Sequence, residues 1–187
     1  MDTENFSKAG YEYLLAYKLT VPIYDYTVQF VKKYVKWNSR TIDQMEQAAR
    51  SGMQNIIEGS KQQSLATYIK LVGVARGSLE ELLKDYESYA RQNSIPIWNK
   101  DKSKREIGEI REIWELMTRN KVLPKTPYFP PLPTHPYKAV NLLFSLIKQA
   151  SYLQDKLISS LREKHLTEGG FSEKLLASRL KFRKAHH

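Results

Sequence analysis

QMEQAARSGMQNIIEG at residues 44–59, with ARGSLEEL at residues 75–82, is the stretch whose reading decides the fold. Small residues and amides recur here on helical spacing. The two segments hold no nucleophile–base pair, no metal-ligand set and no phosphate loop. They speak of how helices pack. Gly52 lies mid-helix, and Gly73 and Gly77 sit four apart on the next helix. Each costs up to about 1 kcal/mol relative to alanine in a helix interior. That cost makes sense where backbones approach closely, helix to helix or helix to nucleic acid. Asn55 and Glu58 are three apart and share a helix face. Glu58 is badly placed for the macrodipole near a helix end, and Arg76 on the next helix is its expected partner. The three are expected to form a structural polar cluster. A lone carboxylate is a poor general base.

Outward from this pair, the chain reads as all-α. Tyr11–Lys36 carries an apolar helical face, and Pro22 inside it is expected to kink or break the helix. Trp37-Asn38-Ser39 reads as a turn. Thr41 with Gln44 fits a capping box for a second helix, Ile42–Glu58, with Gly59 as its C′ residue. A third helix runs from about Ser64 to Arg91 and ends before Pro96. Ser103 with Glu106 fits another capping box, opening a fourth helix that Asn120 closes.

KVLPKTPYFPPLPTHP, residues 121–136, holds six of the eight prolines. It reads as a stiff, extended connector, with Tyr128 and Phe129 stapling it to the bundle. Tyr137–His165 is a further helix whose apolar face is broad enough to imply burial on two sides. Gly169-Gly170 breaks the chain before a basic amphipathic tail. The expected architecture is an up-down four-helix bundle over residues 1–120, the connector at 121–136, and an additional C-terminal helix with its tail at 137–187.

Composition sets further bounds. There is no cysteine, which excludes disulfides and thiolate chemistry. The apolar runs are far shorter than the roughly 20 residues of a membrane span. The polar first ten residues do not resemble a signal peptide, so a cytoplasmic location is expected. The four histidines are scattered or terminal, and neither a metal nor another cofactor is expected.

The net charge of +10 is lopsided. Residues 1–100 hold 13 Lys/Arg and 11 Asp/Glu, and residues 101–187 hold 17 and 9. Such an excess points to phosphate-bearing partners, or only to solubility. Candidate nucleic-acid contacts are Arg40, Arg50, Lys61 and Lys70, with Lys174, Arg179, Lys181, Arg183 and Lys184 in the tail. The tail basics flank Phe182, so the segment can contact phosphates and stack a base. Docking on an anionic membrane is a lesser alternative.

With these residues in view, the two opening segments resemble the bacterial four-helix-bundle family of 23S rRNA intervening-sequence proteins. The accessory protein of diversity-generating retroelements is a relative of that family. Gln44, Ala48, Ala49, Ser51, Asn55, Ile56, Glu58 and Gly59 carry the first part of the likeness. Ala75, Arg76, Gly77, Ser78, Leu79, Glu81 and Leu82 carry the second, over roughly residues 11–120. The family's paired arginines are Glu46 and Gln47 here, and its motif proline is Met53. The resemblance implies a ring-like homo-oligomer, a pentamer, that binds structured RNA or a reverse transcriptase. Twelve tyrosines in one small helical chain agree with oligomerisation. The expected role is a non-enzymatic accessory protein. The alternative is a protein-interaction scaffold that binds no nucleic acid.

Overall fold

Several helix boundaries in the computed structural model, which describes residues 10–35 and 39–185, have a local cause. A 3₁₀ turn at Gly10–Tyr13 leads into α1 (Leu15–Lys18) and α2 (Thr20–Tyr34). Pro22 is the third residue of α2, where a missing N–H costs nothing. Its ring would strike the carbonyl four residues back, and α1 ends at that residue, Lys18. The break expected at Pro22 thus falls just upstream of it.

α3 runs over Ser39–Ser60 and α4 over Leu65–Gln92. Ser64 caps α4, its hydroxyl accepting from the Thr67 N–H at 3.4 Å. Two capping expectations are corrected. Thr41 already lies inside α3, past the start of the helix that it was expected to open. Ser103 is buried within α5 (Lys100–Glu106), whose cap is Asn99, accepting from the Lys102 N–H at 2.9 Å. α6 follows at Gly108–Arg119 and closes at Asn120, as expected. The turn expected at Trp37-Asn38 lies outside the described residues.

The glycines divide. A Cβ on Gly52 would sit 2.7 Å from Leu79 Cδ2, so its absence lets α3 and α4 close together. Gly59 is not a C′ residue. α3 continues through it, and a Cβ there would lie 2.5 Å from the Tyr68 ring. Gly73 and Gly77 face outward on α4, where a Cβ would meet nothing within 4 Å. They serve no close approach within the chain.

α7 spans Pro136–Glu168, with proline at the first helical position, and α8 spans Phe171–Ala185. The fold is all-α, a bundle of antiparallel neighbours. α2, α3, α4 and α7 make the principal helix–helix packings, and α5 and α6 pack on α7. Asn141 near the start of α7 bonds to Pro96 and Trp98 beyond the end of α4, while Asp155 reaches Arg76 mid-helix. α7 therefore runs antiparallel to α4, and it occupies the fourth place of the bundle. One core is continuous across the connector. Ile23 and Phe30 of α2, Leu79 and Tyr86 of α4, Ile113 of α6 and Leu143 and Ile147 of α7 belong to it.

The connector is lashed to that core. Tyr26 donates its hydroxyl to the Pro130 carbonyl at 2.5 Å, and Tyr34 donates to Thr134 at 2.7 Å. Phe129 packs 6.3 Å from the Tyr26 ring, as expected of a staple, but Tyr128 is 84% exposed. Tyr86, fully buried, donates to Thr27 Oγ1 at 3.1 Å. Much of the tyrosine surplus is thus used inside the chain.

Burial pushes the Tyr86 and Tyr26 phenols well above their ordinary value, with Glu109 and Glu112 adding to the effect at Tyr26. Above about pH 10 the unfolded phenols lose protons that the folded ones keep, so stability falls as pH rises. Each contributes a slope of up to about 1.4 kcal/mol per pH unit. Lys18 acts in the opposite sense, because burial lowers its pKa, but its window closes near the unfolded lysine value of 10.5. The urea midpoint is expected to drop between about pH 9 and about pH 11, and to drop less in Tyr86→Phe.

Candidate nucleic-acid interface

Exposed along α3 are Arg40, Asp43, Gln44, Gln47, Arg50 and Glu58, and Lys61 follows in the turn just past the helix end. At 3.6 residues per turn the helical positions fall within one broad face, which carries two arginines and two carboxylates. Two of the four cations expected in the first half of the chain therefore share that face. Lys70 is exposed on α4, in a stripe with Ala66, Gly73, Val74 and Gly77. Val74 is 45% exposed there. Small side chains make this stripe shallow.

α8 is the most exposed element. Arg179, Lys181, Arg183 and Lys184 all face solvent, as do Leu175, Leu176, Leu180 and Phe182. The side chain of Lys174 lies outside the described ones. Glu173 accepts from the Gly170 N–H at 2.9 Å, which fixes the first turn after the Gly169-Gly170 break. Gly169 has φ +73°, a conformation that favours glycine.

The polar cluster expected of Asn55, Glu58 and Arg76 does not form. Asn55 donates to the Ser51 carbonyl at 3.0 Å and to Ser51 Oγ at 2.9 Å. Ser78 on α4 donates to the same hydroxyl at 2.8 Å. Arg76 turns the other way, holding Glu80 at 3.0 Å and Asp155 of α7 at 3.2 Å. Glu58 is exposed and joins neither group. The motif residues are structural, but Arg76 joins α4 to α7 rather than to α3. Gln154 on α7 makes a matching link, donating to the Gly52 carbonyl at 3.2 Å.

Two features were missed in the sequence. The first is Lys18, 4% exposed, whose ammonium donates to the carbonyls of Met117 at 2.6 Å and Asn120 at 2.9 Å. It caps the C-terminal end of α6, where the helix dipole favours a cation. The second is a cleft of about 730 Å³ among α5, α6 and α7. Trp98, Trp114, Phe144 and Tyr152 line it, with Lys100, Lys104 and Lys148 among them and no acidic residue. The interleaving of tryptophan and lysine over residues 98–114 was visible, but the α7 wall opposite it was not.

Among the described residues, no helix is long and apolar enough to cross a membrane. No curated protein and no solved structure matches the chain significantly. A family model does, that of the 23S rRNA-intervening sequence protein, over residues 12–125. That span holds α1 to α6, the packed α3–α4 pair and the exposed face of α3. More than half of the sequence is covered, and the chain belongs to the 23S rRNA-intervening sequence protein family.

Proposed function

We propose that this chain is a non-enzymatic, cytoplasmic accessory protein that self-assembles into a ring-like homo-oligomer, a pentamer, and binds structured RNA or a nucleoprotein such as a reverse transcriptase with its template. The observation that carries the RNA reading is the set of exposed cations on two elements. Arg40 and Arg50 lie on one face of α3, beside Asp43 and Glu58, with Lys61 just past its end, and four arginines and lysines lie on α8. The resemblance puts two arginines where Glu46 and Gln47 stand here, so on this reading α8 carries more of the attraction. Self-assembly is supported by Gly73 and Gly77. Each costs the helix about 1 kcal/mol, and neither is needed for packing inside the chain. A second copy lying along the shallow stripe would make use of both.

The test is a salt-titrated shift assay with a structured RNA. Binding at about 0.1 M salt, falling steeply as salt rises, is expected. The double variant Arg50→Glu/Lys61→Glu is expected to weaken it at least tenfold and to flatten the salt slope. Absence of binding even at low salt would overturn the reading. A scaffold role is the second reading, favoured by the exposed Leu175, Leu176, Leu180 and Phe182 of α8. Removal of residues 171–187 separates the two. Loss of RNA affinity with an unchanged oligomer by light scattering supports the first, and loss of the oligomer with RNA affinity intact supports the second.

A further inference from the structure

The α5–α6–α7 cleft has walls that are fixed before any ligand arrives. The Trp98 N–H donates to Asn141 Oδ1 at 2.7 Å, and Asn141, itself buried, also donates to the carbonyls of Pro96 and Tyr137. Trp114 donates its indole N–H to Gln149 Oε1. The amide nitrogen of Gln149 is held in turn by the Ser145 carbonyl at 3.1 Å and Ser145 Oγ at 3.0 Å. α7 thus fixes the Trp98 backbone through its main-chain N–H and orients the Trp114 indole through Gln149. Lysines ride on the aromatic lining: Lys148 Nζ is 4.6 Å from the Phe144 ring centre. Lys102, beside the cleft, is 4.7 Å from that of Trp98.

We propose that this cleft is a nucleotide-binding site. A planar nucleobase would lie against the indole walls, and its phosphate would be held by Lys100, Lys104 and Lys148. The volume is that of an ordinary small-molecule site. Base–aromatic stacking contributes about 1–3 kcal/mol per base, and lysine binds phosphate as a point charge. The lining selects against cationic and purely aliphatic ligands, because it joins aromatic faces to positive charge with no carboxylate. Gln149 has both ends of its amide engaged, Trp114 has its only donor engaged and Asn99 Oδ1 is taken by the Lys102 N–H, so these three leave few groups to read a base edge. The site is expected to accept purines and pyrimidines alike, within a few-fold in affinity. One of its walls, Phe144–Leu153, lies beyond the residues that the family model matches.

The nucleotide has two possible sources, a free monophosphate or an unpaired position in an RNA strand. Tryptophan fluorescence of the full chain, titrated with 5′-nucleoside monophosphates and with a short single-stranded oligoribonucleotide, distinguishes them. Saturable quenching by monophosphates, with the unphosphorylated nucleosides at least tenfold weaker, assigns a free nucleotide. Saturable quenching by the oligonucleotide alone assigns a strand. In either case Lys104→Glu/Lys148→Glu, both exposed and so compatible with folding, is expected to weaken binding at least tenfold with an unchanged melting temperature. No quenching by either ligand at millimolar concentration, or equal affinity in the double variant, would overturn the proposal. The cleft and the α3 face lie on different helices. Structured-RNA binding that survives the cleft variant therefore leaves the surface reading standing, and nucleotide quenching without structured-RNA binding leaves the cleft standing.

Discussion

A chain ending at Lys125, the last residue that the family model matches, is expected to lose its cooperative unfolding transition. α7 fills the fourth place of the bundle, and Val140, Leu142, Leu143, Phe144, Leu146 and Ile147 are all buried in the shared core. At about 1.5–3 kcal/mol per large apolar side chain, their removal amounts to roughly 10 kcal/mol or more. That equals or exceeds the whole stability of a typical domain, about 5–15 kcal/mol. Truncation also opens the Arg76–Asp155 and Gly52–Gln154 links between α7 and the other helices. Far-ultraviolet dichroism is expected to retain part of the helix signal, with a broad melt and binding of a hydrophobic dye. A truncated chain that melts sharply would mean that α2, α3, α4 and α6 close a core on their own. Removing only residues 171–187 is expected to leave the melt unchanged, because no described side chain of α8 belongs to the core.

Lys18→Met is expected to lower stability by about 2–4 kcal/mol, read as a lower urea midpoint at an unchanged slope. Methionine keeps the length and the apolar packing of the stem but cannot donate. The Met117 and Asn120 carbonyls at the end of α6 then lose a charged donor in a site that water reaches poorly. A hydrogen bond to a charged group contributes about 1.5–3 kcal/mol, and an unsatisfied buried carbonyl costs a further 1–3 kcal/mol, part of which relaxation recovers. Lys32→Met, at an exposed position on α2, is the control, with an expected change within about 0.5 kcal/mol. Equal effects at the two positions would remove Lys18 from its capping role.

Helix identity was legible in the sequence because apolar periodicity is a local signal: the α3–α4 pair, the end of α4 before Pro96 and the stop at Asn120 all follow from neighbours in the chain. The close approach at Gly52 was legible from its place mid-helix, but the side chain that fills its space is Leu79, while Gly73 and Gly77, expected to share the contact, face outward. The caps were harder. Thr41 and Ser103 carry the right side chains, but α3 and α5 both begin upstream of them, α5 with its cap at Asn99, and Ser103 is buried. Partners distant in sequence were not legible at all. Arg76 had two carboxylates in reach, Glu80 and Asp155, and nothing local favours Asp155, 79 positions away, over Glu58. The cleft was hidden for the same reason. Its tryptophans precede the proline segment and its glutamine follows it.

Placing the fourth bundle helix after the proline segment has a consequence in time. During synthesis α2, α3 and α4 are complete at Gln92, but Ile147 follows 55 positions later. At about 5–20 residues per second, the face that α7 will cover stays open for several seconds in every round of translation. Nascent chains on one messenger pass through that interval side by side, each with the same open face and the same helix to come.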